Sequence, residues 1–382
     1  MTWEPVQVNE LLERMVRRLV ELEPLSEPWQ HAFRRVRRDQ FLDDFYLLDE
    51  ASGEWRPVRR AEASELWWQL VYSPETALVT SLDPEGLPAS SSTMPLLMAR
   101  FLELLAVEDG VSVLEIGTGT GYNAALLCER LGSSSVTTVE VDPDLARLAG
   151  ERLRRAGYAP TAVTADGVEG YPPRAPYDRI IATCAVPRLP RAWWEQLSPR
   201  GLIVTPLAGG RIGRGPLVAL RRRADGSLVG RFHQEAVSFM WLRSPTVDRS
   251  MPFQATTRPP EVRRVELPEW LLDWRRCAAA DLFARMEVGD LELAWVERRG
   301  EGRERALAGL QDGSWARLVP DGDGHLLLQA GPRRLWEVYL GAVERWSALG
   351  RPGLGAYGLT VTTAGDHEVW LGEPQSQWRW RF

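Results

Sequence analysis

The stretch of residues 111–123 constrains the fold of this chain more than any other, because an apolar run stops abruptly at three glycines. The apolar residues of 111–116 predict a strand that is buried on both faces. Gly117, Gly119 and Gly121 follow at alternate positions, where the backbone can turn tightly and approach a ligand without intervening side chains. A further apolar run after the glycines predicts a helix, so the glycines lie in a strand-to-helix loop.

The spacing of these glycines separates two classes of ligand. Dinucleotide-binding loops have the pattern G-x-G-x-x-G, whereas this loop has G-x-G-x-G with an acid two residues before it. The pattern resembles motif I of the S-adenosylmethionine-dependent methyltransferases, in which the loop packs against the methionine part of the cofactor. The resemblance implies a cofactor site formed by Glu115, Gly117, Thr118, Gly119 and Gly121. The alternative is a glycine-rich turn that binds no ligand.

Two acids downstream support an adenosyl ligand. Glu140 lies near the end of a predicted strand over 136–141, about 20 residues past the loop, where adenosine-binding folds of the Rossmann type place an acid for the ribose hydroxyls. Asp166 and Gly167 follow a third predicted strand, where a carboxylate can accept a hydrogen bond from the adenine amino group. Glu140 could instead be an ordinary strand-end carboxylate, and Asp-Gly is also a common turn. Strands that alternate with helices predict an α/β fold with a doubly wound, mostly parallel, Rossmann-like sheet.

Several further motifs occur in the order of one known family. They are the segments 165–167, 175–178, 197–201, 222–226 and 237–242, together with Ser91-Ser92-Thr93-Met94-Pro95 before the glycine loop. From about residue 33 to residue 242 the chain resembles the protein-L-isoaspartate O-methyltransferase family, whose signature before motif I is Thr-Ile-Ser-x-Pro. The resemblance places Thr93 at the family's active-site serine. It implies that Thr93, helped by Ser91 and Ser92, holds the acceptor carboxylate, and that Met98 contributes to the cofactor site.

Without the family resemblance, the Ser-Ser-Ser-Thr run of 90–93 is better interpreted as a polar loop that caps a helix starting near Pro95. The chain also departs from the family pattern. Thr93 replaces serine, Trp241 stands where the family usually has proline, and the segment 66–80 is unusual. The chain most resembles a subset of the family found in actinobacterial peptide-maturation clusters, which has a threonine in the signature and an added C-terminal domain. Its members methylate an ordinary aspartate of a ribosomally made peptide, and the ester collapses to an aspartimide.

These observations predict an S-adenosylmethionine-dependent carboxyl O-methyltransferase whose partner is a peptide or protein with an acceptor aspartate or isoaspartate. Ribosomal peptide maturation is the favoured setting, and general isoaspartate repair is the alternative. A non-enzymatic alternative is a cofactor-binding protein that recruits a partner. A carboxylate with a pKa of about 4 is ionised at neutral pH and needs no general base, so no histidine is required.

Charge and composition bear on the partners. The net charge is −6, and every one of the 46 basic residues is arginine. The arginines of 34–38 are followed by Asp39, Asp43 and Asp44, which favours a solvated helix face over a phosphate site, and nucleic acid is not an expected partner. The three cysteines and four histidines are scattered, so no metal site and no disulfide framework is predicted. No apolar run predicts a membrane span or a signal peptide, and we expect a cytoplasmic protein.

The composition changes near Ser244, where prolines interrupt regular structure up to Pro260. We therefore predict a methyltransferase domain over 1–244, which includes an N-terminal helix at 9–22. Residues 245–382 are predicted to form a smaller α+β domain for substrate recognition, since no catalytic constellation is found there. The sequence leaves the acceptor peptide and the oligomeric state undetermined.

Overall fold

The part of the chain before the glycine loop forms helices and a small sheet. The computed structural model describes residues 5–49, 53–62, 65–208, 212–244, 260–298, 302–309, 311–322 and 324–381. The helices here are α1 (Pro5–Leu22), α2 (Glu27–Arg35), α3 (Glu65–Val71) and α4 (Pro95–Leu104). The strands β1 (Phe45–Asp49), β2 (Glu54–Val58), β3 (Leu78–Leu82) and β4 (Pro88–Ser92) pair in the order β2-β1-β3-β4. The predicted N-terminal helix is confirmed and begins one turn earlier. The four-stranded sheet was not predicted.

The middle of the chain alternates strands with helices, as predicted. Its elements are β5 (Val113–Ile116), α5 (Tyr122–Leu131), β6 (Val136–Glu140), α6 (Pro143–Arg155), β7 (Thr161–Thr164), β8 (Tyr177–Ala182), α7 (Arg191–Glu195), β9 (Leu197–Pro206), β10 (Ile212–Arg222) and β11 (Leu228–Met240). Every residue of β5 is buried, as its continuous apolar pattern requires. Asp142 caps α6 by accepting from the backbone nitrogens of Asp144 and Leu145 at 3.0 and 3.2 Å, and Pro143 is the first helical residue.

The last part of the chain contributes to two different sheets. Its elements are β12 (Glu261–Val265), α8 (Trp274–Val288), β13 (Leu291–Arg298), β14 (Gly302–Gly309), β15 (Trp315–Asp321), β16 (Gly324–Ala330), α9 (Leu335–Ala348), β17 (Tyr357–Val361), β18 (His367–Leu371) and β19 (Arg379–Arg381). Strands β12 to β16 form a five-stranded sheet in the order β12-β16-β15-β14-β13. Strands β17 to β19 instead join the large central sheet.

The central sheet has ten strands in the order β19-β18-β17-β11-β10-β9-β8-β5-β6-β7. Its pairings are parallel from β7 to β9 and antiparallel from β9 to β19, so the Rossmann-like fold is confirmed in a mixed sheet. Ile180 and Ile181 are neighbours on β8 but belong to different apolar cores, so both faces of the sheet are covered.

The pairing of β17 with β11 bears on the predicted domain boundary at residue 244. Leu228 of β11 lies opposite Val361 of β17, and Arg231 lies opposite Gly358. The predicted C-terminal domain therefore shares one sheet with the methyltransferase core. The predicted linker over 244–260 falls almost wholly outside the described residues. Within the described part of the chain, no helix is long and apolar enough to cross a membrane.

Candidate functional site

The glycine loop joins β5 to α5 and forms the floor of a cavity. All three glycines have positive φ, +94° at Gly117, +54° at Gly119 and +88° at Gly121. A Cβ atom on Gly117 would lie 2.9 Å from Oγ1 of Thr183, so that position has no room for a side chain. The sequence pattern therefore predicted the loop correctly, because each glycine has a backbone conformation that other residues rarely adopt.

The cavity above this loop has a volume of about 230 Å³. It lies between the glycine loop, the end of β4, the start of α4 and the end of β11. Nine of the twelve predicted site residues line it: Ser91, Ser92, Thr93, Met98, Gly117, Thr118, Gly119, Glu140 and Gly167. A Cβ atom on Gly119 would lie 3.6 Å from the carbonyl oxygen of Ser91, so the loop and β4 are in near contact.

Glu115, Gly121 and Asp166 do not line the cavity. Glu115 is fully buried below the loop and accepts from Asn123 Nδ2 at 2.7 Å and from Thr138 Oγ1 at 2.6 Å. Burial raises the pKa of Glu115 to about 7. Glu115 therefore supports the loop from below and does not form part of the cavity wall.

Gly121 and Asp166 are also set back from the cavity. Gly121 is the residue before α5, and a Cβ atom there would lie 3.4 Å from the Ala149 carbonyl oxygen. Asp166 accepts from Ser244 Oγ at 2.5 Å and from the backbone nitrogen of Val168 at 3.0 Å. The Asp166 carboxylate is thereby held next to Gly167, which does reach the cavity.

Glu140 is the charged group at the edge of the cavity nearest the loop. One of its oxygens accepts from the backbone nitrogen of Gly119 at 3.0 Å. The other accepts from the Asp142 nitrogen at 3.2 Å and from Arg243 Nη2 at 3.4 Å. Arg243 also reaches the Asp142 carboxylate at 3.4 Å. Sequence reasoning missed Arg243, because nothing in its local pattern shows that the residues after β11 return to the end of β6.

The serines of β4 and the following Thr93 all line the cavity, but they alternate in burial. Ser90 and Ser92 are buried, whereas Ser91 and Thr93 are half-exposed, as strand geometry dictates. The Ser92 hydroxyl accepts from Arg38 Nε at 3.1 Å. Within the described part of the chain, the Thr93 hydroxyl makes no hydrogen bond, which leaves it available to a ligand. Thr93 and Ser91 are thus better placed than Ser92 to contact an acceptor.

The structure contradicts two of the simpler interpretations. The residue that caps α4 is Met94, with no side-chain hydrogen bond, so the serines do not cap that helix. The arginine cluster of 34–38 is not wholly a solvated face either, because Arg38 and Asp39 are 0% and 2% exposed. Charge spacing alone could not show that the chain turns inward after α2 and carries these two side chains into the core.

The polar groups on the cavity wall fit an adenosyl and amino-acid ligand. Asn123 Oδ1 and the Tyr122 hydroxyl are buried without a hydrogen-bond partner among the described residues, and both residues are among those that line the cavity. An unpartnered buried acceptor such as Asn123 Oδ1 suits a ligand ammonium group, and the Glu140 carboxylate suits hydroxyls. No histidine lines the cavity in the described ranges, and no metal-binding cluster of His, Cys, Asp or Glu is found there.

Comparisons with known proteins agree with this geometry. The family profile described as protein-L-isoaspartate(D-aspartate) O-methyltransferase matches residues 72–246. A protein-L-isoaspartate O-methyltransferase of Thermococcus onnurineus is 38% identical over 154 residues, which cover 40% of this chain and 69% of the relative. One of Ignicoccus hospitalis is 37% identical over 158 residues, covering 39% and 75%.

A solved structure of a protein-L-isoaspartate O-methyltransferase shares the fold over nearly the whole chain. It is 22% identical, has a TM-score of 0.56, and the match covers 94% of this chain and 99% of that one. The shared fold therefore extends past the family profile into the C-terminal strands. The glycine loop, the acids after it and these relatives together show that the chain belongs to the protein-L-isoaspartate(D-aspartate) O-methyltransferase family and is an S-adenosylmethionine-dependent methyltransferase.

Proposed function

We propose that the chain transfers a methyl group from S-adenosylmethionine to the free carboxylate of an isoaspartyl residue in a protein or peptide. One observation carries this proposal: the glycine loop and the residues 91–93, at and just after the end of β4, border the same cavity. The place expected for the cofactor and the place expected for the acceptor are therefore adjacent. The names of the relatives support the isoaspartyl acceptor over an unmodified aspartate.

The residues of the cavity divide into two groups by what they would hold. The glycine loop, Asn123 and Glu140 would bind the cofactor, which supplies a methyl group on a positively charged sulfur. Thr93 and Ser91 would donate hydrogen bonds to one oxygen of the acceptor carboxylate and leave the other oxygen free to attack. The apolar residues at the end of β11 also line the cavity and would limit the access of water.

Orientation is the main contribution that this site would make to the reaction. An acceptor carboxylate has a pKa of about 4 and is already ionised at neutral pH. Alignment of oxygen, carbon and sulfur in a partly dry site can be worth an effective molarity of ~10⁵ to 10⁸ M. After transfer, the backbone nitrogen of the next residue attacks the ester carbonyl, a C–N bond forms, and methanol leaves to give a succinimide. This second step needs no group of the enzyme.

Two peptides that differ only in aspartyl linkage test the proposal. Each is incubated with the protein and S-adenosylmethionine, and mass spectrometry follows the methyl ester and the succinimide. We expect ester on the isoaspartyl peptide in the wild-type protein. If neither peptide gains a methyl group while the cofactor binds, the proposed acceptor is wrong.

A second candidate acceptor is an ordinary aspartate in a dedicated, ribosomally made peptide. Two residues favour it: Thr93 replaces the family's serine, Trp241 replaces its usual proline, and both line the cavity. The methyl group of Thr93 and the indole of Trp241 change the shape of the part of the cavity that would hold the acceptor. Methylation of the aspartyl peptide without methylation of its isoaspartyl partner would support this second candidate.

We further propose that residues 245–382 help to select the acceptor. Contacts remote from the reacting atoms can contribute binding energy that orients one chosen carboxylate. If so, an acceptor within a folded protein or a long peptide should have a lower KM than the same acceptor in a hexapeptide. Equal kcat/KM for the long and short substrates would exclude this role.

A further inference from the structure

Arg38 is a fully buried cation that lies behind strand β4. Its side chain is 0% exposed. Within the described part of the chain, no carboxylate oxygen lies within 4.0 Å of its nitrogens. Burial of a guanidinium is costly unless its donors are satisfied, and a carboxylate is the usual partner. Arg38 is therefore stabilised by hydrogen bonds to neutral oxygens rather than by a carboxylate.

The donors of Arg38 bridge two segments, the junction between β4 and α4 and the residues 71–76 at and after the end of α3. Nε donates to Ser92 Oγ at 3.1 Å, and Nη2 donates to the carbonyl oxygens of Ser92 and Thr93 at 3.0 and 3.1 Å. Nη1 donates to the carbonyl oxygen of Val71, at the end of α3, at 3.0 Å. One rigid planar group thus ties the residue before Thr93 and the Thr93 backbone to a neighbouring helix.

The adjacent acid does not neutralise Arg38. Asp39 accepts two hydrogen bonds from Arg37, at 3.0 and 2.9 Å, and one from the Tyr72 hydroxyl at 2.5 Å. Burial lowers the pKa of Arg38 to about 10, which still leaves the group charged at neutral pH. A positive charge without a carboxylate partner among the described residues therefore lies behind Ser92, the last residue of β4, and Thr93, which follows it.

We propose that Arg38 is a positioning residue for the acceptor: its guanidinium fixes the Ser92–Thr93 backbone and so holds Thr93 at the cavity that it shares with the glycine loop, and its charge favours an anionic carboxylate there. This inference rests on the proposed function, because it assigns Arg38 to the acceptor of that reaction. The inference predicts separate effects of the hydrogen bonds and of the charge of Arg38. Loss of the planar set of N–H donors should lower kcat, and loss of the positive charge should raise the KM for the acceptor.

The chain offers a matched control in Arg179. This arginine is also buried, at 7% exposure, and donates to the carbonyl oxygens of Leu105 and Ala106, each at 2.8 Å. Those carbonyls follow the last residue of α4, whereas Arg38 holds the residues before its first turn. Arg38→Lys and Arg179→Lys therefore remove comparable hydrogen bonds at opposite ends of one helix.

Steady-state kinetics of Arg38→Lys, Arg38→Gln and Arg179→Lys test the inference. For Arg38→Lys we expect kcat to fall by on the order of 10²-fold, the effect of a misplacement of about 1 Å, with the acceptor KM nearly unchanged. For Arg38→Gln we expect the same fall in kcat and a further rise in acceptor KM of roughly tenfold. Cofactor affinity should change little in all three variants, and Arg179→Lys should lose thermal stability without losing kcat.

Three results would overturn the inference. They are an unchanged kcat in a folded Arg38→Lys variant, an equal loss of kcat in Arg179→Lys, and a loss in the Arg38 variants that follows weaker cofactor binding. Amide hydrogen exchange over residues 90–97 gives a readout that does not depend on the substrate. Faster exchange there in Arg38→Lys but not in Arg179→Lys supports the positioning role even if the wild-type protein methylates neither peptide, in which case only the proposed function fails. Equal exchange in both variants refutes the positioning role.

Discussion

Substitution of Gly119 by valine should block the cofactor while the protein remains folded. The Cβ atom would lie 3.6 Å from the Ser91 carbonyl oxygen, which is an ordinary contact, so the protein can accommodate the first carbon. The two methyl groups would extend into a cavity of only about 230 Å³. Overpacking of this kind costs about 1–3 kcal/mol, which weakens cofactor binding by roughly 5- to 150-fold. Isothermal titration calorimetry with S-adenosylmethionine measures the change directly.

Gly110→Val is the control for backbone strain. Gly110 has a φ of +84°, and a Cβ atom there would meet nothing within 4 Å. Both variants therefore incur the cost of a left-handed conformation, about 1–2 kcal/mol of folding stability, but only Gly119→Val places atoms in the cavity. An affinity loss in Gly119→Val no larger than that in Gly110→Val would refute the assignment of the loop as the cofactor floor.

Three further outcomes are expected. Thr93→Val should lower the transfer rate by roughly 10- to 100-fold with cofactor affinity unchanged, because a hydrogen bond to a charged acceptor is lost, and Thr93→Ser should retain activity; full activity of the valine variant would exclude the role. The raised folded-state pKa of Glu115, about 7, means that its carboxylate lowers the stability of the folded protein as the pH rises from its ordinary pKa through 7. Glu115→Gln should therefore gain stability relative to the wild type over that range, by at most about 3 kcal/mol in chemical denaturation, and a flat difference would contradict the burial effect. A chain that ends at Ser244 should lose its cooperative thermal transition in calorimetry, because β11 loses its partner β17; a sharp transition would show that the core folds alone.

The elements that local sequence patterns could predict are those whose signals lie within a few residues. The glycine loop is one, since three positive-φ positions require glycine, and the Asp142–Pro143 start of α6 is another. Glu140 lines the cavity at the end of β6, and its position follows from the strand that the pattern predicted. The small N-terminal sheet was missed, because the short polar strand β4 has no apolar alternation and resembles a loop.

Local sequence patterns could not predict contacts between distant parts of the chain. Arg38 looks like a surface charge in its sequence context, and only the tertiary fold shows that it is buried under β4. Arg243 gives no signal of its contact with Glu140. The pairing of β17 with β11 depends on register between strands more than 100 residues apart, so the predicted domain boundary could not reveal a shared sheet.

The central claim is that one cavity brings the cofactor to an isoaspartyl carboxylate. A competition assay tests it most directly: the aspartyl and isoaspartyl forms of one peptide, at equal concentration in one tube with S-adenosylmethionine, are methylated to low conversion. The ratio of the two methyl esters, separated by chromatography, equals the ratio of their kcat/KM values. The account predicts ester almost entirely on the isoaspartyl peptide. Ester mainly on the aspartyl peptide, or on neither, would contradict it.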